Sequence, residues 1–216
     1  RGPDLMQPPA TPSHEQWLGV TSDSATVDMT VGCAGFGKGV WVASGLIQSG
    51  ACSKVLLLVG DTPNRFLNPA NRVTSPVFGD AGTAALVERR EGSPMSFMLG
   101  SDGARHEALV IPGGGSRIPQ RADDGPDSPY NREVRDPRGN PWTLGGYCQI
   151  WMDGMGIYTF AVSVVPAHLK RHFELAGVSP ADLDGLLLHQ ANKVIIESVA
   201  KRAGVRVIPI ALRTDA

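Results

Sequence analysis

The sequence predicts a layered α/β protein, and three observations predict it. Residues 54–60 form a continuous apolar stretch, the pattern of a strand buried on both faces. Residues 36–49 form a helix that is apolar nearly all round, the pattern of a helix enclosed between layers. One supersecondary unit, a strand that ends at a chemically capable side chain and runs on into a helix, occurs twice, at Cys33 and at His189.

The elements follow in order. The first twenty residues are polar and proline-rich, and a short helix is expected around 13–19, anchored by Trp17 and Leu18. Residues 24–31 alternate small and β-branched positions (Ala25, Val27, Met29, Val31) and read as a strand. Gly32-Cys33-Ala34-Gly35 breaks it. The helix over 36–49 carries Val40, Trp41, Val42, Ala43, Leu46 and Ile47, with Gly50 as its stop. After the strand at 54–60 comes Phe78-Gly79-Asp80-Ala81-Gly82, then a small-residue strand over 83–87. Residues 112–141 are rich in Gly, Pro, Asp and Arg and read as a long surface excursion. A helix is expected over 157–176, kinked or divided at Pro166. Ser179 caps a short helix that starts with Pro180. Residues 186–188 read as a buried strand ending at His189, and 191–202 as a helix closed by Gly204. The expected organisation is therefore one half over 1–111 bearing Cys33, the excursion over 112–145, and a second half over 146–216 bearing His189.

Composition narrows the function. With 216 residues, 42% hydrophobic and 19% charged, the chain can build a core. A net charge of −1 offers no basic footprint for nucleic acid or an anionic membrane. No apolar run approaches the roughly 18–20 residues of a membrane span. Arg1-Gly2-Pro3-Asp4 begins no signal peptide, and a start at Arg1 points to a processed chain or a piece of a longer one. Three cysteines (Cys33, Cys52, Cys148) without CxxC spacing argue against a disulfide scaffold or a zinc site, so a reducing cytoplasm is the expected compartment.

Cys33 lies where a strand stops and a helix starts. A helix N-terminus presents unpaired N–H groups and partial positive charge, a setting that favours a thiolate and can hold an oxyanion. Gly32, Ala34 and Gly35 permit a sharp turn and close approach by a substrate. The alternative is a buried core cysteine. His189 follows an apolar stretch and precedes Gln190-Ala191-Asn192 at a helix start. The alternative there is a core or capping histidine. Taken together, a thiol and an imidazole at matching junctions form a Cys/His pair suited to acyl transfer.

Val31-Gly32-Cys33-Ala34-Gly35-Phe36 resembles the nucleophile motif of β-ketoacyl-acyl-carrier-protein synthase III enzymes. Phe78-Gly79-Asp80-Ala81-Gly82 resembles their FGDGAGA segment, and His189-Gln190-Ala191-Asn192 their HQAN motif. The likeness runs from about Pro3 to Val205. It implies a thiolase-like fold of two pseudo-symmetric βαβ-rich halves in αβαβα layers, usually a homodimer. It implies an acyltransferase of fatty acid biosynthesis with no bound cofactor or metal. Acyl-CoA would acylate Cys33, malonyl-acyl-carrier protein would lose CO2, and its carbanion would attack the thioester. His189 would polarise the malonyl thioester carbonyl. By the same resemblance Arg72 holds the CoA nucleotide and Phe78 lines the acyl channel. Gly154, in the variant segment Met152-Asp153-Gly154-Met155, and Asn192 contact substrate, and Lys193 meets the acidic carrier protein. Each has a plainer alternative, a surface arginine or lysine for Arg72 and Lys193 and core packing for Phe78.

The sequence departs from the family pattern at its end. The Gly-Asn-Thr loop that follows the HQAN helix in the family does not occur, nor does the C-terminal glycine-rich segment, so two of three triad residues are present. An incomplete sequence or a fragment is the expectation, because Cys33 and His189 both stand in undamaged motifs; a natural remnant without activity is the alternative. Two further functions stand beside the decarboxylating one: acyl transfer to a hydroxyl or amine, and a non-catalytic subunit of the same fold. His168 and His172 share a helix face but lack the Glu of a metalloprotease motif and read as surface residues. Gly113-Gly114-Gly115 lacks the Lys-Ser/Thr of a phosphate loop and reads as a turn.

Overall fold

The computed structural model describes residues 18–92, 94–111, 113–114 and 148–208. The expected helix around 13–19 and the excursion over 112–141 lie almost wholly outside the described residues. The chain divides into two compact units, one of Arg1–Pro63 with Gly79–Met95, the other of Asn64–Phe78 with Ser96–Ala216.

In the first unit a 3₁₀ turn, Gly32–Ala34, leads into α1 (Gly35–Gln48), followed by β1 (Lys54–Asp61) and later β2 (Ala81–Glu88). The helix ends close to its expected stop, with Gly50 at φ 79°. β1 and β2 pair antiparallel, with Leu56 opposite Leu86 and Leu58 opposite Ala84. Gly39, Ala43 and Ile47, four apart, form the buried stripe of α1. The stripe meets β1 closely: a Cβ at Gly39 would lie 2.5 Å from Leu57 Cδ1.

Three expectations are corrected here. β1 alternates instead of being buried on both faces: Val55, Leu57 and Val59 are half-buried, whereas Leu56 is 48% exposed and Leu86, opposite it, 60%. A continuous apolar run marks both faces as apolar, but burial also needs a neighbour on each, and α1 supplies only one. For the same reason α1 is not enclosed, and Phe36 and Trp41 are exposed. Among the described residues, 24–31 join no ladder, and Val27 and Met29 are exposed. Alternation alone does not make a strand, because the backbone groups also need a partner.

In the second unit β3 (Leu109–Val110) pairs antiparallel with β4 (Trp151–Met152). Next come α2 (Gly154–Ala176), a 3₁₀ turn (Pro180–Asp182) and α3 (Lys193–Ala203). Asp153 caps α2, its Oδ1 accepting from Gly156 N at 3.1 Å, and Gly177 closes it at φ 66°. Ser179 caps the 3₁₀ turn as expected, in a reciprocal capping box with Asp182. Asn192 caps α3 and Gly204 closes it.

Pro166 does not divide α2, which runs unbroken through it. Proline has no N–H for the carbonyl of Val162, four residues back. Arg202 of α3 fills that gap, its Nη1 donating to Val162 O at 3.0 Å. Val162 and Pro166 are buried on α2; Ile196, Val199 and Ala203 are buried on α3, and the two helices pack together.

Two more expectations change. Among the described residues, 186–188 make one isolated parallel bridge, Leu186 to Val207, and Leu187 is exposed, so the segment before His189 is not a strand buried on both faces. His168 and His172 are not plain surface residues. His168 Nε2 lies 3.1 Å from Met98 O, and His172 Nε2 lies 2.9 Å from Ser96 Oγ. Their helical spacing puts both rings on one face, where they clasp residues 96–98. Among the described residues no helix is long and apolar enough to cross a membrane.

Candidate active site

Cys33 sits in the 3₁₀ turn just ahead of α1 and is exposed. Local geometry explains why the chain turns there. Gly32 has φ 54°, a left-handed conformation that glycine adopts without strain. Gly35 N then donates to Gly32 O, closing the turn that carries Cys33. The side chain is thus presented at a helix entry. Cys52 and Cys148, by contrast, are both half-buried.

His189 is also exposed, and its backbone is tied on both sides. Ala191 N donates to His189 O at 2.9 Å, and Gln190 Nε2 donates to Leu188 O at 2.8 Å. Upstream, Leu186 N donates to Arg206 O. Downstream, Asn192 Oδ1 accepts from Val194 N at 2.8 Å, starting α3. The side-chain oxygen of Asn192, an expected substrate contact, is therefore engaged as a helix cap. Lys193 is exposed and approaches Glu197 at 4.0 Å, one turn along α3.

Arg72 is exposed on a turn built by Asn71, whose Oδ1 accepts from Val73 N at 2.9 Å. Two residues on, Thr74 is 1% exposed, and its hydroxyl has no partner among the described residues. Phe78 is half-buried. Gly154 is the exposed first residue of α2. Cys33 belongs to the first unit, and Arg72, Phe78, Gly154, His189, Asn192 and Lys193 belong to the second.

The second unit also holds a cleft of about 530 Å³, with Arg105, Glu107, Trp151, Asp153, Met155 and Thr159 among its lining residues. Sequence reasoning reached this region only through Gly154. Arg105 and Glu107 come from a turn nearly fifty residues earlier, and no local pattern links them to Trp151.

Comparison with known proteins bears on these placements. The family described as 3-oxoacyl-[acyl-carrier-protein] synthase III matches residues 27–103. A putative 3-oxoacyl-[acyl-carrier-protein] synthase 3 of Campylobacter jejuni is 33% identical over 199 residues, covering 92% of this chain and 54% of its own length. A crystal structure of a 3-oxoacyl-(acyl-carrier-protein) synthase III superposes with TM-score 0.80 at 28% identity, covering 94% of this chain and 58% of that one. The chain belongs to the synthase III family. A 3-oxoacyl-(acyl-carrier protein) synthase from Burkholderia xenovorans gives TM-score 0.77 at 30% identity, over 97% of this chain and 57% of that one. The synthase III fold, a thiolase-like one, is therefore the fold of this chain, as expected. The chain spans about half the length of the curated relatives it matches. The family match includes Cys33, Arg72 and Phe78, and it ends before His189.

Proposed function

We propose that the protein carrying this chain is a synthase III-type acyltransferase. It moves an acyl group from acyl-CoA to Cys33 and condenses it with malonyl-acyl-carrier protein. In the first step the Cys33 thiolate attacks the thioester carbonyl, a new C–S bond forms, the C–S bond to CoA breaks, and CoA leaves as its thiolate. In the second, the malonyl C–C bond breaks and CO2 departs. The resulting carbanion attacks the Cys33 thioester, a C–C bond forms, and the Cys33 thiolate is released with a 3-oxoacyl product.

The observation that carries this reading is the exposed thiol of Cys33 at a glycine-built helix entry, inside the stretch that matches the family. A sulfur presented this way is open to a thioester, and nearby N–H groups at a helix start suit a tetrahedral oxyanion. His189 polarises the malonyl carbonyl in this reading, and its tethered backbone supports a fixed orientation. Arg72 holds the CoA nucleotide, Phe78 lines the acyl channel, Gly154 and Asn192 contact substrate, and Lys193 meets the carrier protein. Residues 1–111 supply the nucleophile and 146–216 the histidine, with 112–145 between them. The protein acts as a cytoplasmic homodimer.

Intact-mass measurement on the full-length protein after incubation with acyl-CoA tests the first step. An acyl adduct that disappears in Cys33→Ala is expected. An adduct that persists in Cys33→Ala removes Cys33 from the role, and no adduct at all favours a non-catalytic subunit. Adding malonyl-carrier protein tests the second step. CO2 release with a 3-oxoacyl product is expected; an ester or amide without CO2 replaces condensation with transfer to oxygen or nitrogen.

A further inference from the structure

We propose that Asp184-Gly185, in the loop that leads to His189, is a site of spontaneous isomerisation, at which the main chain is rerouted through the aspartate side chain. Four Asp-Gly pairs occur in the sequence, and three fall on described residues: Asp102-Gly103, Asp153-Gly154 and Asp184-Gly185. Glycine makes such a pair reactive, because no Cβ shields its nitrogen from the neighbouring carboxyl. The structure then separates the three. Asp102 Oδ1 accepts from Ala104 N at 3.1 Å, and its Oδ2 lies 3.4 Å from Arg105 Nε. Asp153 Oδ1 accepts from Gly156 N at 3.1 Å. Each is the cap of a helical turn, and moving either carboxyl onto the next nitrogen would give up that cap. Asp184 is exposed in a bend, and neither its carboxyl nor Gly185 N has a hydrogen-bond or ion-pair partner among the described residues.

The step needs only water and a proton. Gly185 N attacks Asp184 Cγ, an N–C bond forms, and one carboxyl oxygen leaves as water, carrying the amide proton and one proton from solvent. The product is a cyclic imide. Water then adds at either of its carbonyls. Opening at Cγ restores aspartate. Opening at the former main-chain carbonyl breaks that carbon's bond to Gly185 N and leaves isoaspartate, with an extra methylene in the main chain. The chain beyond has no slack to take it up. Leu186 N donates to Arg206 O at 3.0 Å, and Ile208 N donates to Leu186 O at 3.1 Å. A Cβ at Gly185 would run into Ile208 Cγ1, so this glycine lies hard against that side chain. The extra methylene therefore loosens the bridge from Leu186 to Val207, just ahead of His189.

The test is peptide mapping of the full-length protein, aged for several weeks at physiological temperature and neutral pH, with electron-transfer fragmentation to tell isoaspartate from aspartate. Isoaspartate is expected to accumulate severalfold faster at Asp184 than at Asp102 or Asp153. In urea, where the caps are gone, the three should approach a common rate. No isomerisation at Asp184, equal rates in the folded protein, a faster Asp102 or Asp153, or a spread that survives in urea overturns the proposal. Hydrogen exchange then reads the consequence: the Leu186 amide should exchange severalfold faster in the isoaspartate fraction, and unchanged protection refutes the loosening. Neither readout requires activity, so the outcome is independent of acyl transfer at Cys33.

Discussion

The contact between Arg202 and Val162 makes a quantitative prediction. The carbonyl of Val162 loses its helical donor because the residue four positions on is Pro166, and Arg202 Nη1 replaces it at 3.0 Å. Val162 is 7% exposed, so little water can substitute. A hydrogen bond from a charged donor contributes about 1.5–3 kcal/mol, and a stranded buried carbonyl costs about 1–3 kcal/mol. The contact is only part-buried, which places the loss in Arg202→Met at about 1–2 kcal/mol. Methionine is chosen because it keeps much of the length and aliphatic character of the arginine stem while removing the donor. Pro166→Ala restores an N–H at the right place, so the same Arg202→Met change should then cost at most about 0.5 kcal/mol. Urea denaturation of the four proteins, followed by far-ultraviolet circular dichroism, closes the cycle. A coupling near 1 kcal/mol or above is expected. Equal costs of Arg202→Met in both backgrounds would refute the claim that Arg202 serves the carbonyl that proline abandons.

Other expectations follow from single positions. Gly32→Ala places a side chain at φ 54° and should cost about 1–2 kcal/mol of stability, read as a lowered denaturation midpoint; an unchanged midpoint would show that the turn is not held left-handed. Cys33 is exposed while Cys52 and Cys148 are half-buried, so brief iodoacetamide treatment followed by peptide mapping should label Cys33 first; faster labelling of either other thiol contradicts the structure. Asn192→Ala removes the cap of α3 at a cost of about 1 kcal/mol, and Asn192→Asp, which keeps an accepting oxygen, should recover most of it. Gly39→Val drives a branched side chain into Leu57, where overpacking costs about 1–3 kcal/mol, and thermal unfolding should show the loss.

By itself the sequence determined what is local. The helix entry at Gly32-Cys33, the stops at Gly50 and Gly204, and the cap at Ser179 were all legible, because φ preference and cap chemistry act over a few residues. The Cys-Ala-Gly-Phe and HQAN motifs were legible as well, because each is a contiguous run. Only the tertiary structure decided what depends on distant partners. It decided that α2 runs unbroken through Pro166, since the missing donor comes from Arg202, thirty-six positions later. It decided that His168 and His172 clasp residues 96–98, and that Arg105 and Glu107 line a cleft with Trp151. It also decided which apolar faces are covered: hydrophobicity makes Leu56 and Leu86 candidates for burial, but burial requires a surface to meet, and α1 meets only the other side of that sheet.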